Sequence, residues 1–233
     1  EAAEVTLRVG ARTGDRIVIV EGGDPEEVDV PEDVLVVSTD ELDGGLRAWI
    51  HEEAGGRRWR ISARSFFQNR PAGVDALVEV VGAMVADLAP TPGGPMVDAY
   101  SGVGIFADTV GVGRTVTAVE RGKASLADAR VNLAARIKDG TLRVAPSAVE
   151  QWKPTPAEVV VADPARAGLD RDGARVLMKC QPDLFVLVGC DHSSFARDAA
   201  LLVRAGLRLE RLVVVDLFPG TSHVETVGAF VRD

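Results

Sequence analysis

From residue 96 onward the chain alternates short, continuously apolar runs with segments of helical period, and few folds accommodate that alternation. Met96 to Tyr100, Thr115 to Glu120, Leu142 to Val144, Val159 to Ala162 and Leu184 to Val188 are too short for helices and lack the polar alternation of half-exposed strands. Such runs read as strands buried on both faces. The helix-period stretches between them, Ile105 to Val110, Ala124 to Ile137, Ala174 to Lys179 and Phe195 to Ala205, supply the covering layers. The expectation over residues 64–233 is a Rossmann-like α/β domain with a parallel sheet. Leu207 to Val215 and Val224 to Val231 are spaced as a closing hairpin, which adds an antiparallel edge.

Residues 1–63 follow a different grammar. Val5 to Val9, Arg16 to Glu21, Val34 to Ser38, Leu46 to His51 and Arg57 to Ile61 read as strands separated by glycine-rich turns, predicting a small antiparallel β subdomain. From Pro71, apolar residues Val74, Leu77, Val78, Val81, Val85 and Leu88 recur at helical spacing and stop before Pro90. With 233 residues, 46% of them apolar, the chain is long enough for one large domain plus this appendage.

Composition removes several function classes. No run approaches the ~18 apolar residues of a membrane span, and no signal pattern opens the chain, so a soluble, cytoplasmic protein is expected. The chain starts at Glu1 and enters a strand pattern at once, as a piece lacking something N-terminal would. Its cysteines, Cys180 and Cys190, are too few for a disulfide framework or a four-thiolate metal site, and His51, His192 and His223 are scattered, so no metal is expected. A net charge of −9 opposes a broad basic surface for nucleic acid. Arg57, Arg58, Arg60, Arg64 and Arg70 nevertheless cluster before the first long helix, as local phosphate contacts or as a solvated face.

Three features carry chemistry. The first is Asp98-Ala99-Tyr100-Ser101-Gly102-Val103-Gly104-Ile105-Phe106, a glycine loop between a strand and a helix, where backbone can approach a ligand. The second is Glu120, at the end of the next strand, placed to accept hydrogen bonds from ribose hydroxyls. Loop and acid fit either a dinucleotide, with Ala107 at the third glycine position, or S-adenosylmethionine. The third is a thiol, Cys190, after one apolar run and a carboxylate, Glu225, after another. A thiol and a separate base at the ends of parallel strands suit methyl transfer to a pyrimidine carbon. Taken singly, Cys190 reads as a buried thiol, Glu225 as a solvated acid and His223 as a structural histidine; Cys180 is assigned to the interior.

Ser65-Phe66-Phe67-Gln68, the glycine loop, Asp163-Pro164-Ala165-Arg166-Ala167-Gly168-Leu169, Gly189-Cys190-Asp191 with Ala196-Arg197-Asp198, and Asp216-Leu217-Phe218-Pro219 with Thr221-Ser222-His223-Val224-Glu225 together resemble one family. It is the S-adenosylmethionine-dependent RNA uracil-C5 methyltransferases, which form 5-methyluridine in tRNA and rRNA. The resemblance implies a class I methyltransferase domain, S-adenosylmethionine as cofactor and an RNA partner. It implies Cys190 as nucleophile and Glu225 as base, and Gln68, Tyr100, Gly102, Gly104, Ile105, Glu120 and Asp163 at the cofactor. Asp163, Phe66 and Arg166 are implied at the RNA. Phe67 and Phe218 are further candidate stacking platforms for a flipped base.

The chain departs from the family pattern at Ala165, where a second proline is usual, at Asp191-His192, where Asn-Pro or Asp-Pro is common, and at Asn69-Arg70. Ile105 replaces an asparagine that often contacts the cofactor. Three other readings stay open at this point: a methyltransferase that uses no thiol, an NAD-dependent oxidoreductase, and a non-catalytic RNA-binding relative.

Overall fold

The computed structural model describes residues 4–217, 220–221 and 224–232. The large sheet contains β6 (Met96–Ala99), β7 (Val116–Glu120), β8 (Leu142–Pro146), β9 (Val159–Ala162), β10 (Leu184–Gly189), β11 (Leu207–Val215) and β12 (Glu225–Arg232), in the order β11-β12-β10-β9-β6-β7-β8. β8, β7, β6, β9 and β10 are mutually parallel, while β12 and then β11 add antiparallel. This is the expected Rossmann-like sheet with its antiparallel edge.

The continuous apolar runs follow from two cores rather than one. Along β9, Val159 and Val161 enter one core while Val160 and Ala162 enter the other; on β10, Leu184, Val186 and Val188 oppose Phe185 and Leu187 in the same way. Successive side chains of a strand face opposite sides, so a strand covered on both faces has no position left for a polar residue. α2 (Pro71–Leu88) covers the first face, burying Val74, Leu77, Val81, Met84 and Val85. It opens on Pro71, whose fixed φ and missing N–H suit a first turn. Gly73 lets it close on Leu217: a Cβ there would lie 2.7 Å from Leu217 Cδ2. α6 (Asp170–Met178) and α7 (His192–Arg204) cover the second face.

Helix ends shift from the expected positions. α3 (Ile105–Asp108) is one turn. The stretch expected as one helix over Ala124 to Ile137 is two, α4 (Lys123–Asn132) and α5 (Ala134–Lys138), with Leu133 at the joint. α6 and α7 start earlier than the periodicity suggests, because their first turns are polar and carry no apolar stripe. A short α1 (Thr39–Asp43) closed by a Ser38–Glu41 capping box had no apolar period to announce it.

The N-terminal region has its own core around Ile17, Ile19, Ile50, Trp59 and Ile61. β1 (Glu4–Val9) and β2 (Arg16–Glu21) pair antiparallel, as do β4 (Trp49–Ala54) and β5 (Arg57–Ser62). β3 (Leu35–Ser38) runs parallel to β2 instead. The intervening chain is about a dozen residues long, enough for the crossover that a parallel pair requires.

Candidate active site

Chain order and sheet order part company between β6 and β9. From β6 the chain moves outward through β7 and β8, then returns to the other side of β6 as β9. This reversal opens a crevice at the carboxyl ends of the two strands, where open α/β sheets bind ligands. Ala99 and Ala162 are in register there, so Tyr100 and Asp163 emerge side by side, and the Asp163 N–H donates to Ala99 O at 3.4 Å.

The glycine loop leaves β6 through strained backbone. Tyr100 has φ +61, Gly102 +55 and Gly104 +101. Tyr100 is the informative one, because a bulky residue in the left-handed region persists only where its surroundings demand it. Its hydroxyl donates to Glu150 Oε1 at 3.1 Å. Gly104 is required twice, by its φ and because a Cβ would lie 2.8 Å from Leu133, the residue at the α4–α5 joint. At Gly102 a Cβ would meet open space. Ile105 packs its side chain against the central and N-terminal cores.

Glu120 is held by backbone. Gly102 N–H donates to Oε2 at 2.9 Å, while Arg121 and Gly122 donate to Oε1 at 2.8 and 2.5 Å. The carboxylate is thereby fixed between glycine loop and strand end, with lone pairs remaining for a ligand. Beneath it, Asp98 is 1% exposed and accepts from Ala107 N–H at 2.8 Å through Oδ2. Burial, then the charges of Asp163 and Glu120, push its carboxyl up to about 8 against the pull of that hydrogen bond. Asp98 Oδ1 and the buried Ser101 Oγ find no partner among the described residues.

On the other side of the crevice the sheet brings together the thiol and the acid. Gly189 pairs with Thr226 across β10 and β12, so the next step of the register sets Cys190 opposite Glu225. Glu225 therefore opens an antiparallel strand, a correction to the expectation that both groups end parallel strands; the hairpin reverses the chain and brings its start to the carboxyl end of β10. Glu225 is 2% exposed, its Oε2 is unpartnered among the described residues, and burial with the nearby charge of Asp163 pushes it up to about 7. Burial pushes Asp163 up to about 7 as well. The half-buried Cys190 thiol is raised by burial and by the charges of Glu225 and Asp163, with Arg166 opposing them. Arg166 itself is exposed, as is His192 at the start of α7. Cys180 lies in the interior as expected.

Gln68 and Phe66 come from outside the sheet, in the segment between β5 and α2. This segment is pinned by Asp128 of α4, which is fully buried and accepts from Ser62 N–H and Ser62 Oγ at 2.7 Å each and from Ser65 Oγ at 2.5 Å. Arg8 of β1 donates to Ser65 O, and Asn132 Nδ2 of α4 donates to Arg60 O and Val103 O, each at 3.1 Å. The Phe66–Gln68 segment and the glycine loop thus hang from the same helix. Gln68 is half-buried, Phe67 packs on the N-terminal core, and Phe66 is 70% exposed, the condition a stacking platform needs. Phe218 and His223 lie outside the described residues.

Asp98, Asp128 and Asn132 escaped the sequence reading as site-building residues. Only the first had a signal, its place at the head of the glycine loop. Two concavities, of about 350 and 500 Å³, lie at the amino ends of the strands, beside Gly93, Thr115 and Thr141. Their arginines are already committed: Arg57 to Asp108, Arg114 to Gly94 O, Thr91 O and Glu158, and Arg136 to Ala107 O and Arg114 O. The glycine loop, Glu120, Asp163, Cys190 and Glu225 lie at the opposite edge.

No protein-family model matches the chain. At 35% identity, 97% of it aligns with 54% of an uncharacterized RNA methyltransferase of Streptomyces avermitilis, and 93% with 47% of another from Streptomyces coelicolor. The chain spans about half the length of the curated relatives it matches. Among solved structures, the tRNA (uracil-54, C5)-methyltransferase of Pyrococcus abyssi, in complex with S-adenosyl-L-homocysteine, superposes with a TM-score of 0.76 at 24% identity, over 97% of this chain and 59% of that one. M. jannaschii TYW2, in complex with AdoMet, gives a TM-score of 0.59 at 13% identity over 98% and 100% of the two chains. By sequence the chain is a homologue of proteins named RNA methyltransferases, and its fold is the Rossmann-like fold of class I S-adenosylmethionine-dependent methyltransferases.

Proposed function

We propose that this chain carries the methyl-transfer site of an RNA (uracil-C5)-methyltransferase that takes its methyl group from S-adenosylmethionine. The observation that carries the reading is that Cys190, one residue past the end of β10, comes to the same sheet edge as Glu225, the first residue of β12, close enough to feel the charges of both Glu225 and Asp163. An amine- or hydroxyl-directed methyltransferase has no use for a thiol, and a hydride-transfer enzyme has no use for a buried, unpartnered base beside one.

The residues fit the cofactor. Glu120 retains lone pairs for ribose hydroxyls, Gly102 leaves open space where a side chain would stand, and Asp98 Oδ1 and Ser101 Oγ are buried polar atoms without partners among the described residues. Tyr100, Gly104, Ile105, Asp163 and Gln68 complete the set. S-adenosylmethionine, when bound, supplies an electrophilic methyl group.

Carbon 5 of uracil is a weak nucleophile, and the chain's own groups change that. The Cys190 thiolate adds to carbon 6, forming a C–S bond and shifting the ring's electron density to carbon 5 and the 4-oxygen. α7 begins two residues after the thiol, and its positive end, with Arg166, favours the thiolate. Burial pushes both Asp163 and Glu225 up to about 7, and protonation of either lessens the negative field on the sulfur. Asp163 hydrogen-bonds the uracil imide. Once carbon 5 carries the methyl group, Glu225 takes the carbon 5 proton, the C6–S bond breaks, the C5–C6 double bond returns and the thiolate is free. Phe66 and Arg166 face the RNA, the first by stacking and the second at phosphate. The uridine is one of a tRNA or rRNA, and the protein works in the cytoplasm.

The test is covalent trapping. Full-length protein is mixed with S-adenosylmethionine and RNA containing 5-fluorouridine, with Cys190→Ala as control. Fluorine cannot leave as a proton, so a denaturation-resistant adduct that needs both the cofactor and Cys190 supports the reading. Absence of an adduct from protein that binds both ligands overturns it in favour of a non-thiol enzyme or a non-catalytic relative.

A further inference from the structure

The loop from Asp163 to Leu169 bears two charged groups that the Cys190 thiol feels, Asp163 and Arg166, and while Pro164 and Leu169 are buried, its middle has little packing of its own. Ala165, Arg166 and Ala167 are exposed. What fixes it comes from α7, the helix that starts just beyond Cys190 with Asp191 as its cap, the Asp191 side chain accepting from Ser194 N–H. Asp198 of α7 is 1% exposed and accepts from Leu169 N–H at 2.6 Å through Oδ2. Arg197 pairs with Asp198 Oδ1 at 2.9 Å and donates to Ala167 O at 2.6 Å. Between these anchors Gly168 takes φ +80, and a Cβ there would lie 2.1 Å from Asp198 Oδ2 and 2.6 Å from Arg197 Nη2. The glycine is what lets the backbone reach the clamp.

Arg197 is therefore not a cation free to serve the thiol, although it is near Cys190 in sequence. Its guanidinium is spent on the loop, and Arg166, on that loop, is the cation that opposes Glu225 and Asp163 at Cys190. Nucleophile and loop are joined through one rigid helix: α7 begins behind the thiol and, two turns on, grips the backbone that presents Arg166.

We propose that Asp198, with Arg197, is a positioning pair for thiol activation: it locks the 163–169 loop to the helix that follows Cys190 and so fixes where Arg166 stands relative to the sulfur. The pair's hydrogen bonds run to the loop backbone, and it acts through the loop. This rests on Cys190 being the nucleophile, but its test does not depend on methyl transfer.

The experiment is the pH dependence of Cys190 alkylation by iodoacetamide in the intact chain, followed by peptide mass spectrometry. Four proteins are compared: wild type, Asp198→Asn, Arg166→Gln and the double variant. Arg166→Gln should raise the midpoint by about 0.5–1 pH unit, as loss of a nearby cation does at a partly solvated site. Asp198→Asn should raise it similarly, and the double variant should move no further than either alone, because the two act in one chain of cause. Gly168→Ala, which leaves every charge in place but pushes the loop off the clamp, should reproduce the shift. An unmoved midpoint in folded Asp198→Asn and Gly168→Ala overturns the proposal, as do additive shifts in the double variant. If the shifts appear while 5-fluorouridine trapping fails, the clamp stands and the uracil reading falls.

Discussion

The two halves of the crevice treat their carboxylates in opposite ways. On the β6–β7 side, Glu120 receives three backbone N–H groups and is tied to the loop it serves. On the β9–β10–β12 side, Glu225 is almost as deeply buried as the core, yet one of its oxygens has no partner among the described residues. Burial without fixed donors raises a carboxyl's proton affinity. The first arrangement holds an acceptor in place for a ligand; the second makes a group that can take up a proton near neutral pH. The separation of roles predicts that each half can be damaged without the other.

Damage to the thiol side is expected to have the largest effect. Cys190→Ala should lower methyl transfer by roughly 10⁴-fold or more while leaving S-adenosylmethionine affinity within about twofold, measured by turnover and by calorimetric titration. A comparable loss of cofactor binding would break the division between the halves.

Glu225→Gln should cost about 10²–10⁴ in rate, with the covalent RNA adduct now accumulating on ordinary uridine because the carbon 5 proton has no acceptor. As the proposed base, Glu225 must be unprotonated to act, so in the wild type proton removal should become faster as pH rises through about 7 and level off above it. A glutamine variant that keeps this limb would assign it to another group.

The cofactor side is probed by its two glycines. Gly104→Ala meets both a left-handed φ and Leu133, and should lose about 2–4 kcal/mol of stability together with cofactor affinity. Gly102→Ala has only the φ to contend with and should lose about 1 kcal/mol. Chemical denaturation separates them, and Cys190 alkylation should be unchanged in Gly102→Ala.

The last effect is on stability alone and concerns Asp98. Its folded proton affinity is raised, so between the ordinary carboxylate range and about 8 the folded state holds a proton that the unfolded state has lost. Stability contributed by this group is therefore full at low pH and declines as pH rises, by up to about 1.4 kcal/mol per pH unit. Asp98→Asn should flatten the fall in denaturation midpoint between pH 6 and 8, and an unchanged slope would show that Asp98 is ionised throughout.

Much of the scaffold was legible because burial on both faces leaves a strand no polar positions, and β9 and β10 advertise that directly. The direction of β3 and the break at Leu133 were not, since both depend on what the chain packs against. Among site residues, Cys190 and Glu225 stood out by type and position within a pattern of motifs. Asp128 did not, because its partner Ser62 lies 66 residues away and an aspartate within a helix looks like any solvated acid; Asp198 belonged to the Ala196-Arg197-Asp198 stretch, but its role did not show because its partner Leu169 lies 29 residues away.

By itself, then, the sequence determined the periodicities: which segments are strands or helices, where the glycines allow a close approach, and which residue types are available for chemistry. These are local properties, set by φ/ψ preferences and by the spacing of apolar side chains. Only the tertiary structure decided which acid would receive backbone donors and which would be buried with an oxygen unpartnered among the described residues, that Cys190 and Glu225 come to the same sheet edge, and that Arg197 grips a loop. Burial and hydrogen-bond partnership depend on pairs of residues far apart in the chain, and their energies exist only once the fold has brought those residues together.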